Sequence, residues 1–433
     1  MRIINLILLP GLILLLASIR LQAQDTDPIF NANAVLTVEN SLASDSMRGR
    51  AVFTPDIERA ADYIESQFRA AGLQTWNGTD SYRQPFSMIR AKLLSISGTV
   101  DGMPLNRDST VIISSTPHLQ LDEHSGYNTG FIKAGEDLRA RALGYVGEKK
   151  NYLVLVDTSF SKTFPRLNRL AGQQFKSDFN VVFVLATTNA AHYSLTAEQE
   201  IKESKLANVV GILPGKGKLK KEYVIFSGHY DHLGVRNPDA RGDSIYNGAN
   251  DDASGTTAHN QLARYFDQLK NNGRSIVFAA FTAEEIGEYG SQYFSSQFDP
   301  AAVMAMFNIE MIGLPSKWGA NSAFITGYER TDMAKILEKN LAGSAFTFYP
   351  DPYPGQNLFY RSDNASLAHK GVPAHTISTT QIDIDKTYHT PEDEIGNLDL
   401  KNMAAIIKAI AISSKTIVEG KDTPSRVDTS QLK

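Results

Sequence analysis

From residue 206 to residue 420, short apolar runs typical of strands alternate with stretches of helical periodicity. This alternation favours an α/β fold, because helices that connect neighbouring parallel strands pack on the faces of the sheet. We therefore predict a mixed, largely parallel sheet flanked by helices, with a smaller β-rich domain inserted. The predicted strands are 223–226, 275–281, 304–309 and 372–377, and the predicted helices are 253–269, 287–297, 333–341 and 400–418.

Before this region the sequence contains a predicted helix and then a region rich in short β-type runs. A helix is predicted over 54–72, where Thr54 suits the N-cap, Pro55 the first turn and Gly72 the C-terminal end. Between 95 and 205, short β-rich runs alternate with polar loops, and none gathers residue types that bind metals. This region reads as an inserted domain, or alternatively as extra strands of one continuous domain. The predicted division is 1–23, 24–94 with 206–420, 95–205, and a loose polar tail at 421–433.

The first residues have the pattern of a secretory signal peptide. Arg2 precedes an apolar run over 3–19, and Ala23 offers a small residue at a plausible cleavage point. Cleavage there predicts a secreted or periplasmic protein without stable membrane association. The alternative is an uncleaved membrane anchor, because the run is just long enough to span a bilayer. We therefore expect residues 24–433 to be exported.

Composition excludes several classes of site. The chain of 433 residues has no cysteine, which rules out disulfides and thiolate metal ligands. Its formal net charge is −4, so nothing in the charge balance indicates a nucleic-acid partner. Oligomeric state is left open by the sequence.

Five short motifs carry residues suited to chemistry, and three of them end predicted strands. In open α/β sheets, ligands bind at the carboxyl ends of the strands, so these three motifs are expected at one edge. The other two lie in loops that could reach it. The motifs contain, in chain order, His229-Tyr-Asp231-His232, Asp251-Asp252, Glu284-Glu285, Glu310, and Tyr388-His389 with Asp393.

The residue types in these motifs suit zinc. Two histidines and three carboxylates could hold two ions if one carboxylate bridges them. A further carboxylate is then needed to take a proton from water, and Glu284 and Glu285 together supply a ligand and a base. Taken singly, each motif has an ordinary explanation, such as a helix cap or a packed histidine. Glu310 is the exception, because a buried carboxylate in an apolar run needs a partner.

As an ordered set, the motifs resemble the zinc aminopeptidases of the M28 type. The resemblance covers residues 45–420 and rests on Ser227-Gly-His-Tyr-Asp-His-Leu-Gly, Gly248-Ala-Asn-Asp-Asp-Ala-Ser-Gly, Thr-Ala-Glu-Glu at 282–285 and Tyr-His-Thr-Pro-Glu-Asp at 388–393. Asn208-Val-Val-Gly-Ile-Leu-Pro-Gly is similar to members with a protease-associated insert. The resemblance implies peptide substrates and two zinc ions per chain.

The resemblance also implies individual roles. Asp251 would bridge the two metals, His229 and Glu310 would complete one ligand set, and Glu285 and His389 would complete the other. Glu284 would be the general base, and Tyr388 resembles a tyrosine that stabilises the tetrahedral intermediate in relatives. Asp231, which would orient His229, and Asp252 would support the ligands from outside the set. Relatives often have a cis peptide after the bridging Asp, so one is expected between Asp251 and Asp252.

Two positions depart from the family pattern. The family usually has Asp where this chain has Glu310, and often has His where the segment Arg361-Ser-Asp-Asn364 ends. His232 is left without a role, although it is close enough to the site to line it, and His259 and His375 are expected to be structural. The function expected is that of an aminopeptidase. The alternatives are a carboxypeptidase or glutaminyl cyclase on the same scaffold, or a non-catalytic binding protein that kept the fold.

Overall fold

The computed structural model describes residues 27–187 and 192–432, so the predicted signal peptide at 1–23 lies outside the described residues. None of the described helices combines the length and apolar character that a membrane span requires. The helices are α1 Ala32–Leu42, α2 Pro55–Ala70, α3 Leu138–Gly147, α4 Asn168–Gly172, α5 Ser254–Leu269, α6 Tyr289–Ser295, α7 Met333–Asn340, α8 Ala365–Ala368, α9 Leu400–Ser413 and α10 Lys415–Glu419.

The strands described by the structure are short, except for two. They are β1 Gln74–Thr75, β2 Arg83–Val100, β3 Met103–Pro104, β4 Thr110–Ile113, β5 His118–Asp122, β6 Asn128–Ile132, β7 Tyr152–Asp157, β8 Gln174–Phe175, β9 Val181–Ala186, β10 Tyr193–Leu213, β11 Tyr223–His229, β12 Gly234–Val235, β13 Ile245–Tyr246, β14 Ser275–Phe281, β15 Val303–Ile309, β16 Ser322–Ile325, β17 Thr347–Pro350 and β18 Ala374–Ser378.

The main sheet is mixed and has the order β17-β16-β18-β15-β11-β14-β10-β2-β3. Its centre is parallel, because β11 pairs in parallel with β14 on one side and β15 on the other, and β15 pairs in parallel with β18. The β10–β14 and β16–β18 pairs are antiparallel. The predicted α/β fold with a mixed sheet is therefore confirmed.

Helices cover both faces of this centre. On one face, the rings of Phe226, Phe278 and Phe307 stack side by side from neighbouring strands, and Phe266 of α5 packs on Phe226. On the other face, Phe281 packs against Phe294 of α6. Burial on both faces explains why these strands are continuous apolar runs without polar alternation.

The inserted region is joined to the main sheet by the two long strands. β2 and β10 pair antiparallel from Arg83–Val209 to Val100–Tyr193, so both cross the predicted boundaries at 94/95 and 205/206. A second sheet of order β4-β9-β7-β6 lies within 95–205 and has apolar clusters on both of its faces. The sequence changes from apolar runs to short β-rich runs where β2 and β10 leave the covered centre of the sheet. Both strands continue past that point.

Two expectations about the C-terminal region are wrong. The helix predicted over 400–418 is two helices, and the Ser414 hydroxyl between them donates to the carbonyl of Ile410 at 2.7 Å. The tail after Gly420 packs on the domain. Arg426 donates to the Val303 carbonyl at 2.7 Å, Val427 is buried, and Ser425 and Asp332 exchange two hydrogen bonds. Polar composition concealed this packing because backbone and side-chain hydrogen bonds hold most of the tail.

Candidate active site

Three parallel strands end side by side at the site. His229 is the last residue of β11, Glu284 and Glu285 follow β14 after a turn of two residues, and Glu310 comes directly after β15. Because β14, β11 and β15 are neighbours, their carboxyl ends meet at one edge of the sheet. The predicted juxtaposition of these motifs is present in the structure.

One cluster forms around His229. Its Nε2 lies 3.2 Å from Asp251 Oδ1 and 3.3 Å from Glu310 Oε1, and the ring is buried. Its Nδ1 lies 3.0 Å from the backbone carbonyl of Asp231, which can only accept a hydrogen bond. A neutral His229 therefore carries its proton on Nδ1 and directs the Nε2 lone pair toward the carboxylates. That arrangement suits a metal between them, because it leaves Nε2 free to coordinate.

A second cluster forms on the other oxygen of Asp251. His389 Nε2 lies 3.1 Å from Asp251 Oδ2 and 3.2 Å from Glu285 Oε2. His232 also reaches this cluster, with Nδ1 2.7 Å from Glu285 Oε1 and 3.9 Å from Asp251 Oδ2. Asp251 is thus shared between the two clusters, and His232 belongs to the site and not to the apolar core.

The geometry of both clusters fits zinc. A tetrahedral ion with bonds of about 2.0–2.1 Å has ligand atoms about 3.3 Å apart, and the contacts of His229 and His389 are 3.1–3.3 Å. The Nε2 atoms of His229 and His389 each face two carboxylates, although each nitrogen carries at most one proton. A cation shared by the group resolves this mismatch better than hydrogen bonds do.

Electrostatics support the same conclusion. Burial lowers the pKa of His229, but the charges of Glu310 and Glu284 outweigh burial and raise that pKa well above its usual value. Burial raises the pKa of Asp251, but the contacts with His229 and His389 hold it well below its usual range. Negative charge thus exceeds positive charge at the site, which therefore favours cations.

The supporting carboxylates differ in part from expectation. The carboxylate of Asp231 lies 3.9 Å from His229 Nδ1 and instead accepts the N–H groups of Glu284 and Glu285 at 3.1 and 3.4 Å. The backbone carbonyl of Asp231, and not its carboxylate, contacts the His229 ring. Asp252 accepts the N–H of His229 at 3.1 Å and that of Met311 at 3.0 Å, which ties the ends of β11 and β15 together. The predicted cis peptide between Asp251 and Asp252 is confirmed.

Two positioning residues were assigned no role from the sequence. Asp393 is buried and accepts the N–H groups of Asn250 and Asp251 at 2.7 and 3.0 Å, so it fixes the loop that carries the shared carboxylate. Burial raises the pKa of Asp393 to about 6. Asp393 belongs to the Tyr-His-Thr-Pro-Glu-Asp motif at 388–393, and its nearness to His389 in the sequence could have indicated a role at the site.

Arg50 is the second of these residues and lies far from the motifs in sequence. Its buried guanidinium donates to four backbone carbonyls at 2.6–2.9 Å, those of Leu42, Tyr230, Asn247 and Gly248. It therefore joins the end of α1 to the chain just before His232 and to the loop just before Asp251. No local sequence signal identifies such contacts.

A cavity opens beside the two clusters. Its lining includes Asp251, Glu284 and Glu310, and also Tyr388 and His389, whose ring centroids stack 3.9 Å apart. Glu284 is partly exposed, and its Oε2 lies 3.9 Å from His229 Nε2. Glu284 thus faces the cavity beside the two clusters without belonging to either.

Of the two positions that depart from the family pattern, Glu310 lies in the site and Asn364 does not. Glu310 reaches His229 despite its longer side chain, and the Ser362 hydroxyl donates to its other oxygen at 2.8 Å. Asn364 is buried away from the cavity and hydrogen-bonds with Phe359 and Thr376. His259 and His375 lie outside both clusters, His259 within α5 and His375 between Thr326 and Thr331.

The region that carries the site is similar to known proteins. The sequence pattern of peptidase family M28 matches residues 208–413. A probable zinc metalloprotease of Pyrenophora teres f. teres is 36% identical over 118 residues, which are 27% of this chain and 24% of that protein. A probable leucine aminopeptidase of Trichophyton verrucosum is 27% identical over 222 residues, covering 49% of this chain and 56% of that protein. This chain thus spans about a quarter of the length of the first relative.

The fold is shared with solved structures. The aminopeptidase from Aneurinibacillus sp. strain AM-1 superposes with a TM-score of 0.53 at 17% identity, covering 94% of this chain and 96% of that one. The sequence match at 208–413 includes the last residues of β10, all of β11, β14 and β15, and every residue of the two clusters. Through this region, the chain is similar to peptidase family M28.

Proposed function

We propose that this chain is a zinc-dependent exopeptidase that removes residues from the N-terminus of peptides. The observation that carries the proposal is the carboxylate of Asp251, shared between two histidine–carboxylate clusters beside a cavity that Glu284 also lines. The names of two relatives, a zinc metalloprotease and a leucine aminopeptidase, support the same class.

Two zinc ions are proposed to bind at Asp251. His229 and Glu310 would hold one, and His389 and Glu285 would hold the other, with Asp251 common to both. When bound, such a pair polarises the scissile carbonyl and lowers the pKa of water. His232 contacts the oxygen of Glu285 that does not face His389, so it orients that carboxylate.

Glu284 is proposed as the general base. It accepts the proton of the attacking water and later delivers it to the leaving amine. Its backbone N–H donates to the buried Asp231, so the carboxylate is held at the cavity by a fixed backbone. Tyr388 lines the same cavity, and its hydroxyl is proposed to donate a hydrogen bond to the oxygen that becomes negative at the scissile carbon.

A substrate panel tests the function. We expect hydrolysis of aminoacyl p-nitroanilides, no release from peptides blocked at the N-terminus, and loss of activity with a chelator that added zinc reverses. Release of C-terminal residues, or cyclisation of N-terminal glutamine, would replace the aminopeptidase proposal with one of the two alternatives on this scaffold. Binding without turnover of any substrate would favour a non-catalytic protein.

The metal content is a separate prediction. Protein purified without chelator should contain about two zinc ions per chain by elemental analysis, because each cluster offers three ligand atoms. Glu310→Gln should lower this to about one, since the amide is a poorer zinc ligand than a carboxylate. Gln292→Glu, an exposed change on α6, is the matched control and should leave the count at two. A wild-type count near zero would contradict the proposed site.

Export is proposed from the apolar run over 3–19 and from Ala23. The exported protein should then begin near Gln24, which N-terminal sequencing measures directly. An Ala23→Arg variant should accumulate with its N-terminal segment uncut, because a large charged residue replaces the small one at the cleavage point. Recovery of the wild-type protein with Met1 intact would refute the proposal.

A further inference from the structure

One segment of the cavity wall has a residue that neither the fold nor the proposed metal binding uses. In the segment 361–364, Ser362, Asp363 and Asn364 are buried, and the first and last are held by several hydrogen bonds. Ser362 contacts the carboxylate of Glu310, which places the segment directly beside the metal-binding clusters. Arg361, by contrast, is exposed and lines the cavity.

The guanidinium of Arg361 has little to bind within the protein. Its Nη1 donates to Gln356 Oε1 at 3.5 Å, a distance that makes this a weak hydrogen bond. Over residues 27–187 and 192–432, no carboxylate oxygen lies within 4.0 Å of it. Arg83 shows the usual alternative, because its guanidinium pairs with Glu58, Asp62 and Glu65. Arg361 therefore presents an available cation to whatever enters the cavity.

The cavity lining is of two kinds. The residues of the two clusters supply carboxylates, and the remaining lining combines apolar side chains such as Phe324 and Leu358 with the hydroxyls of Ser378 and Thr380. Apolar walls suit the carbon stem of a side chain, whereas a guanidinium and hydroxyls suit an anionic group at its end. A substrate group that ends in a carboxylate therefore suits the apolar side chains, the hydroxyls and the guanidinium of Arg361.

We propose that Arg361 binds a carboxylate of the substrate and so makes this enzyme selective for peptides that carry one next to the scissile bond. The inference rests on the proposed peptidase function. Two sources fit the same chemistry: the acidic side chain of the terminal residue, or the free C-terminus of a dipeptide. Planar, two-pronged pairing with a carboxylate is the interaction for which arginine is better suited than lysine.

Paired substrates that differ only in this charge test the proposal. The first pair is the p-nitroanilides of Glu and Gln, and the second is Leu-Leu and Leu-Leu-amide. We expect wild-type protein to favour the charged member of one pair about tenfold in kcat/KM at low salt. Raising the ionic strength should reduce this ratio, because the guanidinium is solvent-exposed.

Variants of Arg361 test whether its side chain causes the preference for the charged substrate. Arg361→Met should bring the ratio close to one while the uncharged substrate is turned over within about threefold of wild type, and Arg361→Lys should retain part of it. A wild-type ratio near one for both pairs would overturn the proposal, as would equal loss on both members in Arg361→Met. Failure of the wild type to hydrolyse any of the four substrates would overturn the peptidase proposal as well.

Discussion

Glu284→Gln is expected to lower turnover by about 10²–10⁴-fold while zinc content stays at the wild-type level. The amide keeps the size of the side chain but cannot accept the proton of water. Glu284 lines the cavity but belongs to neither metal-binding cluster, so its loss should leave both clusters intact. Steady-state kinetics on an aminoacyl p-nitroanilide, with elemental analysis of the same preparation, measures both quantities.

Glu285→Gln is the matched control for this experiment, because it makes the same chemical change one residue along the chain. Glu285 contacts both His389 and His232, so this variant should lose zinc as well as activity, and added zinc should restore part of the activity. If Glu284→Gln lost zinc while Glu285→Gln kept it, the roles of the two residues would be reversed.

Arg50→Met is expected to destabilise the protein by about 3 kcal/mol or more. Methionine matches the aliphatic part of the side chain but leaves the carbonyls of Leu42, Tyr230 and Asn247 without this donor, whereas Gly248 still accepts from Ala253. Each unsatisfied buried group costs about 1–3 kcal/mol before relaxation. Neighbouring Glu39 is also buried, and burial raises its pKa to about 8. Urea unfolding of the zinc-free protein measures the difference in the free energy of unfolding.

The control for Arg50 is Arg59→Met in the adjacent helix. Arg59 is partly exposed and pairs with Asp56, so its replacement should change stability by no more than about 0.5 kcal/mol. Arg50→Lys should fall between the two, because an ammonium group can reach only some of the four carbonyls. Equal stability of Arg50→Met and wild type would contradict the assigned role.

Zinc affinity gives a second measurement of whether Arg50 positions the site. The carbonyls that it binds flank the loops of His232 and Asp251, so a variant that still folds should bind zinc more weakly than wild type. Arg59→Met should bind zinc normally. Unchanged zinc affinity in a folded but destabilised Arg50→Met would limit Arg50 to a role in stability.

Several features of the site followed from local sequence. A strand that is buried on both faces is a continuous apolar run, so β11, β14 and β15 were recognisable, and the polar residue at the end of each marked the edge of the sheet. Paired carboxylates at 284–285 and an acid at 310 in an apolar stretch indicated a metal site before any contact was known. Resemblance to the M28 peptidases then implied a role for most of these residues, and those roles stay predictions.

Tertiary structure decided the contacts between segments that are distant in the chain. The Arg50 guanidinium meets Tyr230 and Asn247 across 180 and 197 residues, and no periodicity or spacing encodes such a meeting. Likewise, the sequence predicted that Asp231 supports His229, but only the backbone geometry shows that the carbonyl contacts the ring while the carboxylate holds the 284–285 turn. Local sequence thus determined which chemical groups reach the site, because strand ends and turns depend on nearby residues. Packing decided which atoms of those groups meet, because that depends on the whole chain.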